Sequence, residues 1–445
     1  MKILVTCPYS YNFRNIVCSG FLRDLLNRNH KVRILVSDAH LNSLELKELK
    51  ILFPTQLEVD VFEIRYSWIK KLILIVLRSW CYKNQHTKTF ESKSNYLYSY
   101  SKKEWIKYFG LSIFFPRNFS LYRCALKLLR PYLFHSKSIA TLYSEFKPGI
   151  IINTLPNKYD ESCYAWEAKK LKIKILAINH SWDVITTKGF YAVTPDHIVF
   201  WSQTNLAEYQ RYVAELMLEA PKADVVGPIQ FDIYKNFSDP VAHKQKIGLT
   251  LNKKIILYTT SVPRLVPDEV NYIKKLIDYL AKRDDLFLYI RPHPQAPANH
   301  FAFDECERKV FKVGRAEPLS SSSLDGVAFR DDALVSLRND LMVCDIVINF
   351  ASSMALDAMA MNKPAIWLSD FSSEVREFYT YEHISKARST LEIPIASSFS
   401  QLLEIIDEKL KCSKDYKSAF EREYAVIGNA KANIMKKIEA YQHKH

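Results

Sequence analysis

Along the chain, hydrophobic residues recur in two rhythms. Short, nearly continuous apolar runs lie at 2–8, 31–36, 149–153, 173–179, 198–202, 225–228, 254–260, 286–290, 346–350 and 365–368. Runs of that length, rich in Ile, Leu and Val, read as strands covered on both faces. Between them the spacing lengthens to three and four residues, as in Phe21, Leu22, Leu25 and Leu26 within 19–28. The same spacing predicts helices over 161–171, 205–219, 268–282, 333–344, 354–361, 402–410 and 419–441. Strands alternating with helices build parallel sheets with helices on both faces, so the expected class is α/β and doubly wound.

The pattern also divides the chain. After Gly227-Pro228 the periodicity weakens over 227–246, a linker, and a second strand–helix series begins at 254. The expected domains are 1–228 and 229–420, with a closing helix in 421–445 that crosses back to the first. A length of 445 residues suffices for two or three separately cored domains.

One stretch breaks the rhythm. Residues 65–137 hold fifteen Lys and Arg against Glu91 and Glu104 alone, a local balance of +13 in a chain whose total is +14. Trp68, Trp80, Trp105, Phe114 and Phe115 are interleaved with them. A basic helical insertion over about 65–145 is expected in the first domain. Its composition suits an anionic membrane surface, the expected partner. Single-stranded nucleic acid would accept the same composition, though it is the less favoured partner. A solvated insertion whose aromatics are core would also show it.

Composition narrows the function classes. Nine glycines, with no GxGxxG and no Walker A loop, argue against a dehydrogenase or a P-loop NTPase. The eight cysteines (7, 18, 81, 124, 163, 306, 344, 412) show neither CxxC nor metal-ligand spacing and read as reduced thiols. The first residues run straight into a strand without an h-region, and no apolar run approaches the ~20 residues that span a bilayer. The expected location is therefore the cytoplasm, peripheral to the inner face of the membrane. No acidic cluster suited to Mg²⁺ stands out, so no metal is expected.

The candidate chemistry lies where strands end. Arg291-Pro292-His293-Pro294 follows the strand 286–290; a guanidinium fork and an imidazole N–H both suit phosphate oxygens. Ser352-Ser353 opens the helix 354–361 at the carboxyl end of 346–350, where unpaired first-turn amides favour an anion. Asp357 lies one turn further on, within reach of sugar hydroxyls. Thr259-Thr260-Ser261 ends the strand 254–260 and offers further phosphate or base contacts. His180, at the end of 173–179, is placed to accept a proton from a hydroxyl. Asp183, three residues into the loop, and His197, at the amino end of the next strand, are less well placed. Each also has a plain structural reading: a capping serine, a strand-exit histidine, a solvated carboxylate.

The pair of motifs, Arg291-Pro-His293-Pro and Ser352-Ser353-x-x-x-Asp357-Ala358, resembles the carboxyl-terminal half of GT-B-type transferases of bacterial surface carbohydrate. These include the CDP-glycerol glycerophosphotransferases and the Kdo- and sialic-acid-transferring capsule enzymes. The likeness runs from about residue 173 to the end; the first sixty residues match only generically. It implies two Rossmann-like domains facing a cleft. The implied reaction moves a sugar, or glycerophosphate, from a nucleotide-activated donor onto a surface glycan or lipid-linked acceptor, with no metal and no separate cofactor. By the same resemblance His293, Ser352 and Ser353 hold the donor nucleotide, and Asp357, where the family has glutamate, faces the ribose; Arg291 and Ser261, selected by their chemistry and strand-end positions, are expected to join them. His180 matches the family's QHG- or WHG-type histidine, here followed by Ser181, and is the implied base. Asn15, a candidate for acceptor contact, and Lys188 (of Lys188-Gly189) and His383, at positions where the family has other cleft residues, are the further expected site residues. Two other readings stand beside this one: a sugar-nucleotide epimerase or hydrolase on the same fold, and a non-catalytic basic protein that binds membrane or RNA.

Overall fold

The computed structural model describes the chain except residues 65, 237–238, 250–251, 298–299, 302, 304–309, 372–375 and 443–445. Two compact units emerge: one takes residues 1–229, 380–383 and 429–445, the other 230–379 and 384–428.

The first unit is built on seven parallel strands: β1 (Lys2–Cys7), β2 (Lys31–Val36), β3 (Leu57–Val61), β4 (Ile150–Asn153), β5 (Lys174–Ile178), β6 (His197–Phe200) and β7 (Lys222–Val225). Their order is β3-β2-β1-β4-β5-β6-β7, so the winding reverses between β1 and β4. Thr6 pairs with Asn153, and Asn153 with Ala177, which brings the carboxyl ends of β1, β4 and β5 out level. Side chains alternate between two cores. Ile3, Val5 and Ile152 face Phe13, Phe21 and Leu22, while Leu4 and Ile151 face the other way.

That second face is covered by the basic segment itself. Its helices are Trp68–Gln85, Lys88–Tyr100, Lys102–Tyr108, Phe119–Phe134 and Lys137–Phe146. Ser67, Thr87, Ser101, Asn118 and Ser136 each accept a first-turn amide and so start the five helices in turn. Leu74, Leu77, Trp80, Tyr82, Phe90, Tyr122 and Phe134 are buried against the sheet, each such side chain contributing roughly 1.5–3 kcal/mol. The aromatics therefore divide. Trp80 is core and stacks on Phe115 at 4.8 Å, whereas Trp68 and Phe114 are 74% and 82% exposed. Arg65 of the basic set lies outside the described residues.

The second unit carries six parallel strands: β8 (Lys254–Thr259), β9 (Leu286–Arg291), β10 (Phe311–Val313), β11 (Ile346–Asn349), β12 (Ala365–Leu368) and β13 (Ile395–Ala396). The order β10-β9-β8-β11-β12-β13 reverses between β8 and β11, the doubly wound arrangement with its switch point there. Asn349 pairs with Thr259, and Thr259 with Arg291.

Several boundaries differ from the sequence expectation for identifiable reasons. β6 stops at Phe200 because the Ser202 side chain already caps the helix Gln203–Tyr212. β7 lies at Lys222–Val225, and Gly227 (φ +88°) turns the chain away just beyond. The single closing helix expected over 419–441 is two, Tyr416–Tyr424 and Ala430–Gln442. Ala425 (φ +65°) and Gly428 (φ +85°) break it, and a Cβ on Gly428 would collide with the Lys235 side chain. The last helix places Ile434, Met435 and Ile438 in the core of the first unit. Among the described residues no helix is long and apolar enough to cross a membrane. None of the seven described cysteines is in a disulfide; Cys306 lies outside the described residues.

Candidate active site

In the second unit the sequence-selected residues emerge side by side. β9, β8 and β11 are neighbours, so Arg291, Thr259 and Asn349 end three adjacent strands in register. Beyond them run Pro292-His293, Thr260-Ser261 and Ser352-Ser353. The His293 amide donates to Thr260 Oγ1 at 2.8 Å, tying the first two exits together. The Ser352 amide donates to Asn349 Oδ1 at 3.0 Å, and Ser352 Oγ accepts from the Met354 amide at 3.3 Å. Ser353 occupies the N-cap position of the helix Met354–Ala360, yet its side chain makes no cap bond. Ala351, between strand and serines, sits at φ +35°, a conformation that costs a non-glycine residue on the order of 1–3 kcal/mol and concentrates at functional turns.

His293 is a donor without charge. Its Nδ1 accepts from the Gln295 amide at 3.0 Å, which assigns the ring proton to Nε2. Burial, helped by the Arg264 charge, lowers its pKa to about 4. At neutral pH the ring therefore offers one N–H to a phosphate oxygen and no formal charge.

Arg291 and Asp357 have other partners. The Arg291 guanidinium pairs with Asp340, which is 1% exposed, reaches Ser336 Oγ at 3.4 Å and lies 4.0 Å from Glu317. Burial alone would lower its pKa, but Asp340, Tyr289 and Glu317 outweigh that and hold the charge. Asp357 is buried and accepts the hydroxyl of Tyr234, joining the segment Ile229–Lys235 to its own helix. The Ser261 amide donates to Glu269 at 2.9 and 3.0 Å. Glu269 is buried, and desolvation raises its pKa to about 7.

In the first unit, His180 follows β5 by two residues and is buried, its ring stacked on Tyr11 at 5.1 Å. Burial first, then the Lys188 and Lys158 charges, lower its pKa to about 3, against a smaller upward pull from Asp183. Residues 380–383 bring His383 into the same neighbourhood. Its Nδ1 is 3.0 Å from Thr186 Oγ1, and its ring meets Trp182 edge-on at 4.8 Å. Glu382 secures that excursion by accepting the Lys88 and Thr89 amides, at the start of Lys88–Tyr100. Asp183 is the hub. Burial opposes its ionisation, but Lys188 (3.6 Å away), His383, Ser181 and His180 together hold its pKa well below the carboxylate range. The sequence treats Asp183 as peripheral to the chemistry; the fold turns the loop back so that it lies within electrostatic reach of both histidines. His197 pairs with Asp224 at 2.7 Å at the start of β6, away from this cluster. Asn15 is buried in the π-helical turn Arg14–Cys18 and accepts from Arg14 Nε at 3.2 Å.

Nothing in the sequence marks Glu161. It is fully buried, accepts Thr6 Oγ1 at 2.7 Å and the Leu155 amide at 3.0 Å, and has its pKa raised by desolvation to about 8. An acid in the first turn of a helix is ordinary in sequence; only the β1/β4 packing reveals its burial. Gly189 is likewise informative in space alone. A Cβ there would collide with the Ile185 carbonyl oxygen and come within 2.6 Å of Gln85 Nε2, because Gln85 of the insertion bonds the Gly189 carbonyl. Gly189→Ala is expected to destabilise the first unit by roughly 1–3 kcal/mol, as overpacking does. Urea unfolding measures this, and an unchanged midpoint would show that the loop has room.

No protein-family model matches the chain, and no curated protein matches it. Solved structures do. UDP-GlcNAc 2-epimerase from Neisseria meningitidis bound to UDP-GlcNAc aligns over 99% of this chain and 100% of its own, with TM-score 0.53 and 13% identity. The Methanocaldococcus jannaschii UDP-GlcNAc 2-epimerase in complex with UDP-GlcNAc and UDP aligns over 99% and 100%, at 0.53 and 12%. A glycosyltransferase from Rickettsia africae aligns over 99% and 98%, at 0.51 and 13%. At such identities the likeness is one of fold, and the fold is GT-B.

Proposed function

We propose that the chain is a nucleotide-sugar-dependent glycosyltransferase that moves a sugar, or glycerophosphate, onto a surface glycan or lipid-linked acceptor. The observation that carries this reading is the level exit of His293, Thr260-Ser261 and Ser352-Ser353 from three adjacent strands at the β8/β11 reversal, the place where open α/β sheets bind nucleotides. On this reading the acceptor hydroxyl oxygen bonds to the donor's reacting carbon or phosphorus, and the bond to the nucleotide phosphate breaks. The hydroxyl proton passes to His180. The charge left on the nucleotide phosphate is received by His293 Nε2–H and by the Ser352 and Ser353 hydroxyls, an electrostatic contribution. Arg291 acts through Asp340 as a positioning residue, and Asp357 through Tyr234.

A thermal-shift panel of CMP, CDP, UDP and GDP tests the donor site. One nucleotide should stabilise the chain by about 2.7 kcal/mol at a hundredfold excess over its Kd. His293→Ala should weaken that nucleotide about tenfold, the scale of one neutral hydrogen bond. If no nucleotide shifts the melting curve, the donor site is wrong.

The exposed Trp68, Leu72, Phe114 and Leu128 amid the basic segment support contact with an anionic membrane carrying the acceptor. Binding to phosphatidylserine vesicles should then be salt-sensitive and weaken in Trp68→Ser/Phe114→Ser. Equal binding to neutral vesicles would contradict it.

Epimerisation of a nucleotide sugar is the second reading, favoured by the solved epimerases bound to UDP-GlcNAc. Proton NMR of UDP-GlcNAc incubated with the protein separates the two: a new sugar isomer with the nucleotide still attached marks an epimerase.

A further inference from the structure

The basic insertion encloses a cavity of its own, of about 280 Å³. It lies between the carboxyl end of Trp68–Gln85, one face of Lys88–Tyr100 and the short helical turn Gly110–Phe114. Local bonding holds its walls in place. Lys83 donates to the Ser112 and Phe115 carbonyls at 3.0 and 2.7 Å, and Trp80 Nε1 donates to the Pro116 carbonyl at 2.8 Å. Asn118 then caps the helix Phe119–Phe134 by accepting the Leu121 amide at 2.8 Å, so Arg117 stands between two anchored residues. One wall is aromatic. Tyr82 stacks on Phe90 at 4.2 Å and tilts against Phe109 at 6.2 Å, while Trp105 donates its Nε1 to Ser94 Oγ at 2.9 Å.

The charged side chains lining the cavity are Lys83, Arg117 and Glu91. Lys83 commits its N–H groups to carbonyls and so contributes charge. Arg117 Nη2 lies 2.9 Å from His86 Nδ1; a guanidinium only donates, so Nδ1 accepts and the His86 proton sits on Nε2. Among the described residues Arg117 and Glu91 make no ion pair, with each other or elsewhere, although they line one space. Opposite charges that face one cavity unpaired fit a ligand with an oxyanion at one end and a hydrogen-bond donor at the other. Two cations against one carboxylate leave a charge of +1. That matches the single charge of a phosphodiester better than a phosphomonoester, which carries roughly −1.5 to −2 at pH 7. Ile113 lines the cavity yet is 64% exposed, so it stands at the opening, beside Phe114. Apolar side chains at the rim of a cationic pocket suit a ligand whose remainder is hydrocarbon. The volume falls below the roughly 300–1,000 Å³ of sites for drug-sized ligands and so holds a headgroup rather than a nucleotide sugar.

We propose that this cavity binds the headgroup of a membrane phospholipid, with its phosphodiester at Arg117, its hydroxyl or ammonium donor at Glu91, and its acyl chains leaving past Ile113 and Phe114. The choice of a lipid as the source of the phosphodiester rests on the membrane reading of the basic segment, and nothing in it rests on the transferase reading. The insertion thereby selects a lipid by its headgroup as well as by negative charge.

The test is titration calorimetry of the full chain with dihexanoyl phosphatidylglycerol and dihexanoyl phosphatidylethanolamine, each kept below the concentration at which it forms micelles. At least one of them should saturate a single site. Arg117→Gln should weaken that site about ten- to hundredfold, Arg117→Lys should retain most of the affinity, and Trp68→Ser, outside the cavity, should leave it unchanged. Glu91→Gln should weaken at least one of the two lipids about tenfold, and the lipid affected names the donor group. Both side chains are exposed, so these variants should keep the urea midpoint of the wild type, and either one alone still reads the site. No saturable binding, or binding that neither substitution weakens, overturns the proposal. Inorganic phosphate or glycerophosphoglycerol, which lacks acyl chains, bound as tightly as the lipids overturns the choice of a lipid and makes the ligand a soluble phosphate. Vesicle binding is measured alongside. Vesicles bound while no monomeric lipid binds removes the pocket and leaves the membrane reading; Arg117-dependent binding of monomeric lipid without vesicle binding does the reverse.

Discussion

Arg291→Ala is expected to destabilise the second unit by about 3–5 kcal/mol, the cost of leaving a buried charge without its partner. Asp340 is only 2% exposed at its side chain and keeps His243, at 3.2 Å, and the Tyr289 hydroxyl, but no cation held as firmly, once the guanidinium is gone. Glu317, 4% exposed at its side chain, keeps Arg330 at 3.2 Å. Denaturant unfolding of the variant measures the loss directly. Arg291→Ala/Asp340→Asn should recover part of it, since the uncompensated carboxylate has been neutralised. A midpoint unchanged in Arg291→Ala, together with a nucleotide affinity that falls at least tenfold, would mean that Arg291 turns to the phosphate and that its pairing with Asp340 is incidental. The tetrapeptide Arg-Pro-His-Pro would then hold the donor with both of its polar side chains rather than one.

That division within a single tetrapeptide shows what sequence discloses and what it withholds. The alternation of apolar runs with amphipathic stretches gave both parallel sheets, since strands buried on two faces cannot hide their composition. β10 and β13, three and two residues long, are too short to show any period. The level exit of Arg291, Thr259 and Asn349 was legible as three strand ends but not as neighbours, because sheet order is a property of the winding. Which charge pairs with which was not legible at all. Asp340 sits on the helix Ala333–Val343, forty-nine residues from Arg291, and reads in sequence as an ordinary helical acid. Likewise Asp183 and His383 are two hundred residues apart, joined only because residues 380–383 leave the second unit for the first. The basic segment was correctly read as helical and charged. Its aromatics divide between core and surface according to which face of each helix they occupy, as Trp80 and Trp68 on one helix show.

His180→Ala should lower kcat by ~10²–10⁴-fold while nucleotide affinity stays near wild type, the pattern of a lost base. The pH dependence distinguishes this base from an exposed one. An unperturbed histidine would give an acidic limb near pH 6.5. Burial, Lys188 and Lys158 lower the pKa of His180 to about 3, so the ring stays neutral and ready to accept a proton throughout the working range. A base that weak takes the proton only as the new bond makes the hydroxyl acidic, and Asp183 is then the carboxylate whose charge favours the imidazolium. Asp183→Asn should therefore lower kcat as well, with little change in KM. The same shift has a stability consequence. A histidine whose folded pKa lies below its unfolded value binds more protons when unfolded, so its contribution is whole above about pH 6.5 and is lost as pH falls towards the folded pKa. His293 and His383, each lowered to about 4 by burial, add to this effect. Per folded molecule, kcat should stay level from pH 8 to 5, while the melting temperature declines below pH 6.5 and declines less steeply in His180→Ala. An acidic limb in kcat with its midpoint near 6.5 and a constant melting temperature would place His180 in solvent, and the base would then have to be sought among Asp183 and its other neighbours.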